Sequence, residues 1–163
     1  MVMVMMPWCD LAWWSQFAAF CYTALRHGSS KGSRMGGKTL AGLSILVVDD
    51  DVPSRKLHAL VLTLAGASVR GAATAEEAVA MVAVSVPDLI VLDLHLPQRS
   101  GHDLLVQLKN DGATQHIVVI AVTSTSGPDT EQRLLDAGCA AYMRKPIDTE
   151  TFAATVANHR RGK

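Results

Sequence analysis

Cysteine, net charge and long apolar runs are all scarce in this sequence of 163 residues. Its cysteines, Cys9, Cys21 and Cys139, are odd in number and lack metal-type spacing, so they predict neither a disulfide framework nor a zinc site. The formal net charge is zero, which gives no reason to expect binding to nucleic acid or to an anionic membrane. A reducing, cytoplasmic setting fits best, and Cys139 is expected to be a small buried residue.

The first 25 residues are apolar and rich in Trp, but they lack the features of a membrane anchor or a secretory signal. Their longest uncharged run, from Leu11 to Leu25, is shorter than the roughly 20 residues that span a bilayer, and no basic region precedes it. Two interpretations stay open: an amphipathic docking helix, or an extension outside the working protein, since Met35 could serve as a start. The sequence favours the second, and we expect no membrane span.

Composition divides the chain into four parts. Residues 1–25 are the apolar extension, 26–42 a flexible linker rich in Gly, Ser and basic residues, 43–158 a regular domain, and 159–163 a basic tail. Between Leu40 and His159, 14 Asp and Glu residues stand against 8 Lys and Arg, a net charge of −6. The predicted domain is therefore acidic. The basic residues on either side of it are expected to be solvent-exposed ends of the chain rather than a binding site.

From Leu43 onward, short apolar runs alternate with segments of helical periodicity. The predicted strands are residues 44–48, 67–71, 89–92, 117–122 and 140–143. A helix follows each strand, and five such repeats predict an α/β fold: a doubly wound, five-stranded parallel sheet with helices on both faces.

Local signals place the beginnings and faces of these helices. The first should bury the apolar positions Leu57, Leu60, Val61 and Leu64. A capping box, Thr74-x-x-Glu77, predicts the start of the second helix, and Asp148 predicts the N-cap of the last. Asp51 is expected to be an exposed residue at the start of the first helix.

The residues that can do chemistry follow the strands at their carboxyl ends. They are Asp49, Asp50 and Asp51 after the first strand, Asp93 after the third, Thr123 and Ser124 after the fourth, and Lys145 after the fifth. Functional groups of such sheets gather at this edge, so we expect one shared pocket. Clustered carboxylates need a cation, and hard oxygen ligands suit Mg²⁺. A carboxylate beside Mg²⁺ can accept a phosphoryl group, whose oxygens a lysine can then contact.

Four segments resemble the receiver domain of bacterial response regulators. They are residues 45–51 (ILVVDDD), 92–97 (LDLHLP) with Gly101, 122–124 (VTS) and 142–146 (YMRKP). The match covers residues 43 to about 158. The resemblance implies a flavodoxin-like (βα)5 fold with strand order 2-1-3-4-5, the order of the family's chemotaxis regulator.

The resemblance also implies a role for each residue of the pocket. Asp93 aligns with the phosphorylated aspartate. Asp50, Asp49 through water, Asp93 itself and the backbone carbonyl of His95 would hold Mg²⁺. Lys145 aligns with the lysine that contacts the phosphoryl group, and its peptide bond to Pro146 falls where the family has a cis bond.

Signal transmission is implied by the remaining matches. Thr123 aligns with the switch hydroxyl and Tyr142 with the switch aromatic. The side chains of His95 and Thr125 occupy the positions that tune phosphate lifetime. The loop from Thr125 to Pro128 departs from the family's usual composition, and Ser124 stands where Ala is commoner. These differences concern the shape of the partner surface and not the chemistry of the acceptor. The other histidines of the domain, His58, His102 and His116 among them, are expected at the surface.

The implied function is that of a single-domain receiver. It would accept a phosphoryl group from a histidine kinase or a histidine phosphotransfer protein and act on a downstream protein through residues 128–158, without binding nucleic acid and without turning over a substrate. That the chain is a fragment of a histidine kinase is a less favoured interpretation. A scaffold that works without phosphorylation is a further alternative. The intact residues of the pocket oppose it: the acceptor Asp93, the acid pair (Asp49 and Asp50), Thr123 and Lys145.

Two enzyme classes are further alternatives. An aspartyl-phosphate phosphatase needs Asp-x-Asp, whereas this sequence has Asp93-Leu94-His95. A flavin protein needs a hydroxyl- and Gly-rich loop after the first strand, where three acidic residues stand instead.

Overall fold

The structure is a computed structural model that describes residues 39–124 and 128–160. In this part of the chain, five strands alternate with five helices. The strands are β1 Ser44–Val48, β2 Ser68–Ala72, β3 Leu89–Asp93, β4 Val118–Thr123 and β5 Ala141–Arg144. The helices are α1 Val52–Leu64, α2 Ala75–Val84, α3 Gly101–Asn110, α4 Pro128–Asp136 and α5 Thr149–His159. The predicted alternation is confirmed, with small differences at the boundaries.

All five strands form one parallel sheet in the order β2-β1-β3-β4-β5, so the predicted fold class and strand order are confirmed. The register aligns the strand ends, with Val48 opposite Leu92 and Asp93 opposite Val122. Thr123 in turn lies opposite Arg144, the residue before Lys145. The carboxyl ends of the central strands therefore meet at a single edge.

Two apolar layers cover the sheet. Ile45 and Val47 of β1 pack on the side of α1 and α5, whereas Leu46 and Val48 pack on the side of α2, α3 and α4. Strands β1, β3 and β4 are buried almost throughout, because helices cover both of their faces. This is why their sequences are continuous apolar runs. Cys139 is buried in the second layer as expected, and burial raises the pKa of its thiol.

The predicted helix starts are confirmed by their caps. The Thr74 hydroxyl accepts the backbone N–H of Glu77 at 3.1 Å, and the Asp148 carboxylate accepts that of Glu150 at 2.9 Å. Asp51 is exposed and caps α1 by accepting the N–H of Ser54 at 2.9 Å. Hydrogen bonding by Ser54 holds the pKa of Asp51 below its usual range.

The predicted buried face of α1 is correct only in part: Leu60 and Val61 are half-buried, and Val61 packs against the apolar core. Leu57 is 45% exposed and Leu64 is 65% exposed, while the buried residues of the helix are His58 and Leu62. Apolar residues occur on nearly every side of this helix, so their spacing alone selects no single face. The face that meets the sheet includes a polar residue, His58, which a count of apolar positions passes over.

Two other expectations need correction. His58 was expected at the surface but is 5% exposed, whereas His116 is exposed and His102 half-buried. Leu40, assigned to the linker, is fully buried beside α1 and α5, and its N–H donates to the carbonyl oxygen of Ala65 at 3.0 Å. The packed region therefore begins before Leu43, and the linker boundary at residue 42 was placed too late.

Within the described residues, no helix combines the length and the apolar character that crossing a membrane requires. The interpretations of residues 1–25 concern a segment that lies outside the described part of the chain.

Candidate functional site

The acidic residue after β1 is held in place by its neighbours. Asp49 is buried, and its backbone N–H donates to the carbonyl oxygen of Ala72 at 3.1 Å. Its Oδ1 accepts the N–H of Asp51 at 3.0 Å, and its Oδ2 lies 3.0 Å from the Nζ of Lys145. The backbone bond holds the residue against β2, and the two side-chain contacts hold its carboxylate at the carboxyl edge of the sheet.

Asp93 lies at the end of β3 and is 4% exposed. Its Oδ1 accepts the backbone N–H of His95 at 2.9 Å, which closes the turn after the strand. Its Oδ2 lies 2.5 Å from the Nζ of Lys145. The His95 side chain is 56% exposed, with Nδ1 3.8 Å from the same carboxylate, so it flanks the pocket as expected.

Lys145 joins the two carboxylates from the end of β5. Its backbone N–H donates to the carbonyl oxygen of Thr123 at 2.9 Å, and its peptide bond to Pro146 is cis, as the resemblance implied. Burial alone would lower the pKa of Lys145, but hydrogen bonds to Asp93 and Asp49 outweigh burial and raise it. The side chain is therefore a permanent cation at neutral pH.

The carboxylate cluster has the composition of a hard-cation site. Asp49, Asp50 and Asp93 each offer an oxygen, and these atoms all lie within 4.8 Å of one another. Asp49 and Asp93 are buried, whereas Asp50 is exposed at the mouth of the pocket. Three carboxylates around one point repel one another unless a cation joins them, and oxygen ligands of this kind fit Mg²⁺.

The two predicted switch residues lie on neighbouring strands. Thr123 is fully buried at the end of β4 and borders a cavity of about 280 Å³ between the turn after β3 and helix α4. Tyr142 lies on β5 opposite Ala121, is half-buried, and packs against the apolar layer that α4 covers. Thr125, predicted to tune phosphate lifetime, lies outside the described residues.

Two residues near the acid pair were not identified from the sequence as part of the site. Arg55 Nη1 donates to the main-chain carbonyl oxygens of Asp49 and Asp50, the latter at 3.3 Å. The His58 Nδ1 lies 3.7 Å from Oδ2 of Asp49. Both residues belong to α1, three positions apart on one face. Helix α1 begins directly after the acid pair. Polar residues in its first two turns are therefore the sequence feature that could have identified Arg55 and His58 as neighbours of the site.

His58 is an unusual buried residue. Its ring packs on Phe152, with 5.3 Å between ring centroids, and among the described residues its Nδ1 has no hydrogen-bond partner. Burial is the main reason that the pKa of His58 is lowered. The imidazole therefore stays neutral in the folded protein to a lower pH than in an unfolded chain, where the group titrates at about pH 6.5.

His58→Leu is expected to raise stability, and to raise it more in acid. Because the folded pKa is depressed, the native protein loses stability as the pH falls below the unfolded value of about 6.5. The substitution removes both this proton linkage and an unsatisfied buried nitrogen, a gain of about 1 kcal/mol already at neutral pH. Urea unfolding in EDTA at pH 7.5 and 5.5 measures the difference. The exposed His116→Leu is the control, and an equal pH dependence in His58→Leu and native protein would contradict the prediction.

A glycine at the start of α3 contacts the end of strand β3. The N–H of Gly101 donates to the carbonyl oxygen of Leu94 at 3.0 Å. A Cβ added at Gly101 would lie 2.2 Å from the carbonyl oxygen of Asp93. The backbone around Asp93 therefore leaves no space for a side chain at this position.

Comparison with known proteins gives consistent matches. Residues 45–157 match the family model of the response regulator receiver domain. The chain is 33% identical over 116 residues to the polar-differentiation response regulator DivK of Brucella ovis, a match that covers 71% of this chain and 94% of DivK.

Solved structures give the same result. A CheY-like receiver domain protein from Methanospirillum hungatei is 28% identical, with a TM-score of 0.66 over 73% of this chain and 92% of that one. The chemotaxis response regulator CheY4 of Vibrio cholerae, at 24% identity, supports the fold, with a TM-score of 0.68 over 73% of this chain and 98% of that one.

Proposed function

The chain belongs to the response regulator receiver domain family, and from this premise we propose that Asp93 accepts a phosphoryl group in two-component signalling. The observation that carries the proposal is the contact of a buried Asp93 with Lys145, 2.5 Å from Nζ to Oδ2, beside two further carboxylates. Receiver domains are signalling domains rather than conventional enzymes. The only chemistry proposed for this chain is its own phosphorylation and dephosphorylation.

In the proposed reaction, a carboxylate oxygen of Asp93 attacks the phosphorus of a phosphohistidine. A P–O bond forms as the P–N bond breaks, and the departing imidazole nitrogen takes up a proton, which leaves an acyl phosphate on Asp93. Mg²⁺ bound there would neutralise negative charge on the phosphoryl oxygens. Asp50, Asp93 and the backbone carbonyl of His95 would hold the ion directly, and Asp49 would hold it through water.

Lys145 has two proposed duties. In the unphosphorylated protein it offsets the charge of Asp49 and Asp93, as its contacts at 3.0 and 2.5 Å indicate. After transfer it would pair with a phosphoryl oxygen, a charge-assisted contact that a permanent cation can make at any physiological pH. The exposed imidazole of His95 beside the acceptor supports its proposed influence on the lifetime of the phosphate.

Removal of the metal is expected to stop phosphorylation. Acetyl phosphate with Mg²⁺ should label the native chain, and EDTA should reduce labelling to background, because three carboxylates would otherwise repel the incoming anion. The label should be released by alkali and by hydroxylamine, as that of an acyl phosphate is. Restoring Mg²⁺ in excess of EDTA is the control and should restore labelling. Equal labelling with and without EDTA would exclude the proposed metal role.

We also propose a partner surface formed by α4, β5 and α5, within residues 128–158. A histidine kinase or phosphotransfer protein is the proposed phosphodonor, and an unidentified downstream protein is the proposed target of this surface. Tyr142 supports the surface, because it packs against the layer that α4 covers and lies one strand from Thr123. The cytoplasmic location stays a prediction from cysteine usage.

The proposed switch couples Thr123 to Tyr142. A phosphoryl group on Asp93 adds charge and acceptor oxygens near the end of β4. The Thr123 hydroxyl would move toward it, and the Tyr142 ring would then enter the space left behind. Phosphate and partner would thus favour the same one of two states.

Thr123→Ala is expected to permit phosphorylation but to disconnect Tyr142 from it. NMR of ring-labelled tyrosine should show a phosphorylation-dependent shift of the Tyr142 signal in the native chain and less than about half of that shift in the variant, since the hydroxyl that transmits the change is missing. Thr130→Ala, which borders the same cavity from α4, is the control and should behave like the native chain. A full shift in Thr123→Ala would mean that the coupling takes another route.

A scaffold that signals without phosphate is the second candidate. It predicts that Tyr142 and the surface of residues 128–158 are unaffected by acetyl phosphate. The same NMR experiment on the native chain therefore separates the two candidates.

A further inference from the structure

The main chain of the acid pair is tied to helix α1 by a side chain that the receiver chemistry does not itself require. Arg55 Nη1 donates to the carbonyl oxygen of Asp49 through a short contact, and to that of Asp50 at 3.3 Å. The backbone N–H of Arg55 also donates to the carbonyl oxygen of Asp51 at 2.9 Å. The Arg55 side chain therefore contacts two consecutive carbonyl groups of the loop, whereas the backbone bond to Asp51 is the ordinary bond from residue i to i−4 that begins α1.

The neighbouring strand leaves room for this side chain. A Cβ added at Gly71 of β2 would lie 3.2 Å from Cδ of Arg55 and 3.4 Å from its Cγ. The aliphatic part of Arg55 thus runs directly over Gly71, and this contact is tighter than ordinary van der Waals packing permits for a Cβ. Gly71 is an observation independent of the hydrogen bonds, and both indicate a fixed path for Arg55 from α1 to the loop.

We propose that Arg55 is a positioning residue for the metal-binding acid pair. By holding the carbonyl groups of Asp49 and Asp50, its guanidinium fixes the direction in which the two carboxylates leave the backbone, and so the distance between them and Asp93. The proposal rests on the proposed function insofar as the ion bound there is Mg²⁺. The planar guanidinium suits this task because it presents several donors in a rigid arrangement.

Charge and positioning act in opposite directions at this site. A cation next to the acid pair repels Mg²⁺, so removing the charge of Arg55 should tighten Mg²⁺ binding if charge were its whole effect. If Arg55 holds the loop, the same substitution frees the acid pair and should weaken binding. The sign of the change in Mg²⁺ affinity therefore distinguishes the two explanations.

Calorimetric titration of the full chain with MgCl₂ provides the test. We expect Arg55→Gln to weaken Mg²⁺ binding about tenfold. Arg55→Lys should weaken it less, because lysine keeps N–H donors, although its shorter side chain reaches the two carbonyl groups less well. Lys56→Gln removes the same charge from the next, exposed position of α1 and should leave binding unchanged or slightly tighter. Mg²⁺ binding by Arg55→Gln that equals or exceeds that of the native chain would overturn the proposal.

Gly71→Ala tests the same path while leaving the guanidinium in the chain. It should weaken Mg²⁺ binding about threefold in the native background, because the added methyl group pushes on Arg55, and should have no further effect in Arg55→Gln. A general loss of stability would weaken Mg²⁺ binding in both backgrounds, so the absence of a further effect in Arg55→Gln distinguishes the proposed path from such a loss. Equal effects of Gly71→Ala in both backgrounds would contradict the proposed path.

A metal-free measurement separates this proposal from the proposed function. Amide hydrogen exchange at Asp50 and Asp51 in EDTA should be about tenfold faster in Arg55→Gln than in the native chain or Lys56→Gln, because the loop opens locally. Unchanged exchange would overturn the positioning role whatever the metal does. Faster exchange in a chain whose native form binds no Mg²⁺ would leave the positioning of the loop intact and refute the metal site.

Discussion

Asp93→Asn is expected to reduce phosphorylation by acetyl phosphate and Mg²⁺ to background. The carboxamide has nearly the shape of the carboxylate, and its oxygen can still accept the N–H of His95, a bond of 2.9 Å in the native protein. It lacks the anionic oxygen that attacks phosphorus, so the chemistry is lost although the turn after β3 is kept. One negative charge fewer among the crowded carboxylates also removes repulsion, and Lys145 keeps its contact with Asp49.

The measurement is incorporation of radioactive phosphate that hydroxylamine releases, with thermal unfolding as a check on the fold. Asp103→Asn makes the same chemical change at an exposed position of α3 and should be labelled like the native chain. Persistent labelling of Asp93→Asn would move the acceptor elsewhere, and Asp50 at the mouth of the pocket would be the first residue to test.

The sheet, and the edge at which its reactive side chains gather, could be predicted from the sequence because both follow from local patterns. Strands buried on both faces are continuous apolar runs, as in residues 44–48 and 118–123, and no amphipathic helix gives that pattern. Once the strands are located, parallel order places every residue after a strand at the same edge. Asp49, Asp93 and Lys145 therefore meet in the structure, where Lys145 contacts both carboxylates.

The rotation of α1 could not be predicted in the same way. The apolar residues of α1 lie on nearly all of its sides, so several faces satisfy the helical periodicity. Packing against β1 and α5 decides which face is buried. The selected face buries His58 and exposes Leu57 and Leu64. Burial of a neutral imidazole beside Phe152 depends on contacts across the fold, which composition does not record.

Contacts between distant segments were missed for the same reason. Leu40 belongs to a stretch with the composition of a linker, yet its N–H finds the carbonyl oxygen of Ala65 at the end of α1. Arg55 would pass for an ordinary surface cation of an amphipathic helix, and its partners are main-chain groups that carry no sequence signal. Such residues can be identified only once the three-dimensional position of the loop backbone that they contact is known.

Gly101→Ala is expected to destabilise the protein and to slow phosphorylation, because the added methyl group meets backbone atoms that cannot rotate away. It would lie 2.2 Å from the carbonyl oxygen of Asp93 and 2.8 Å from Cα of Leu94. Relief requires that the start of α3 or the end of β3 shift, a cost of about 3 kcal/mol at the upper end of ordinary overpacking. The shift falls on the acceptor, and a misplacement of about 1 Å can slow a positioned reaction roughly 100-fold.

Gly112→Ala separates this steric effect from the general effect of replacing a glycine. A Cβ at Gly112, in the turn after α3, would have Gln115 Nε2 as its nearest neighbour at 3.9 Å, which is ordinary contact. Its backbone lies outside the left-handed region, so alanine should change the free energy of unfolding by no more than about 0.5 kcal/mol, or stabilise slightly. Urea unfolding and the initial rate of labelling measure both variants. Native-like stability and labelling in Gly101→Ala would mean that α3 can retreat from β3 without moving Asp93, and that the close approach of Gly101 does not fix the acceptor.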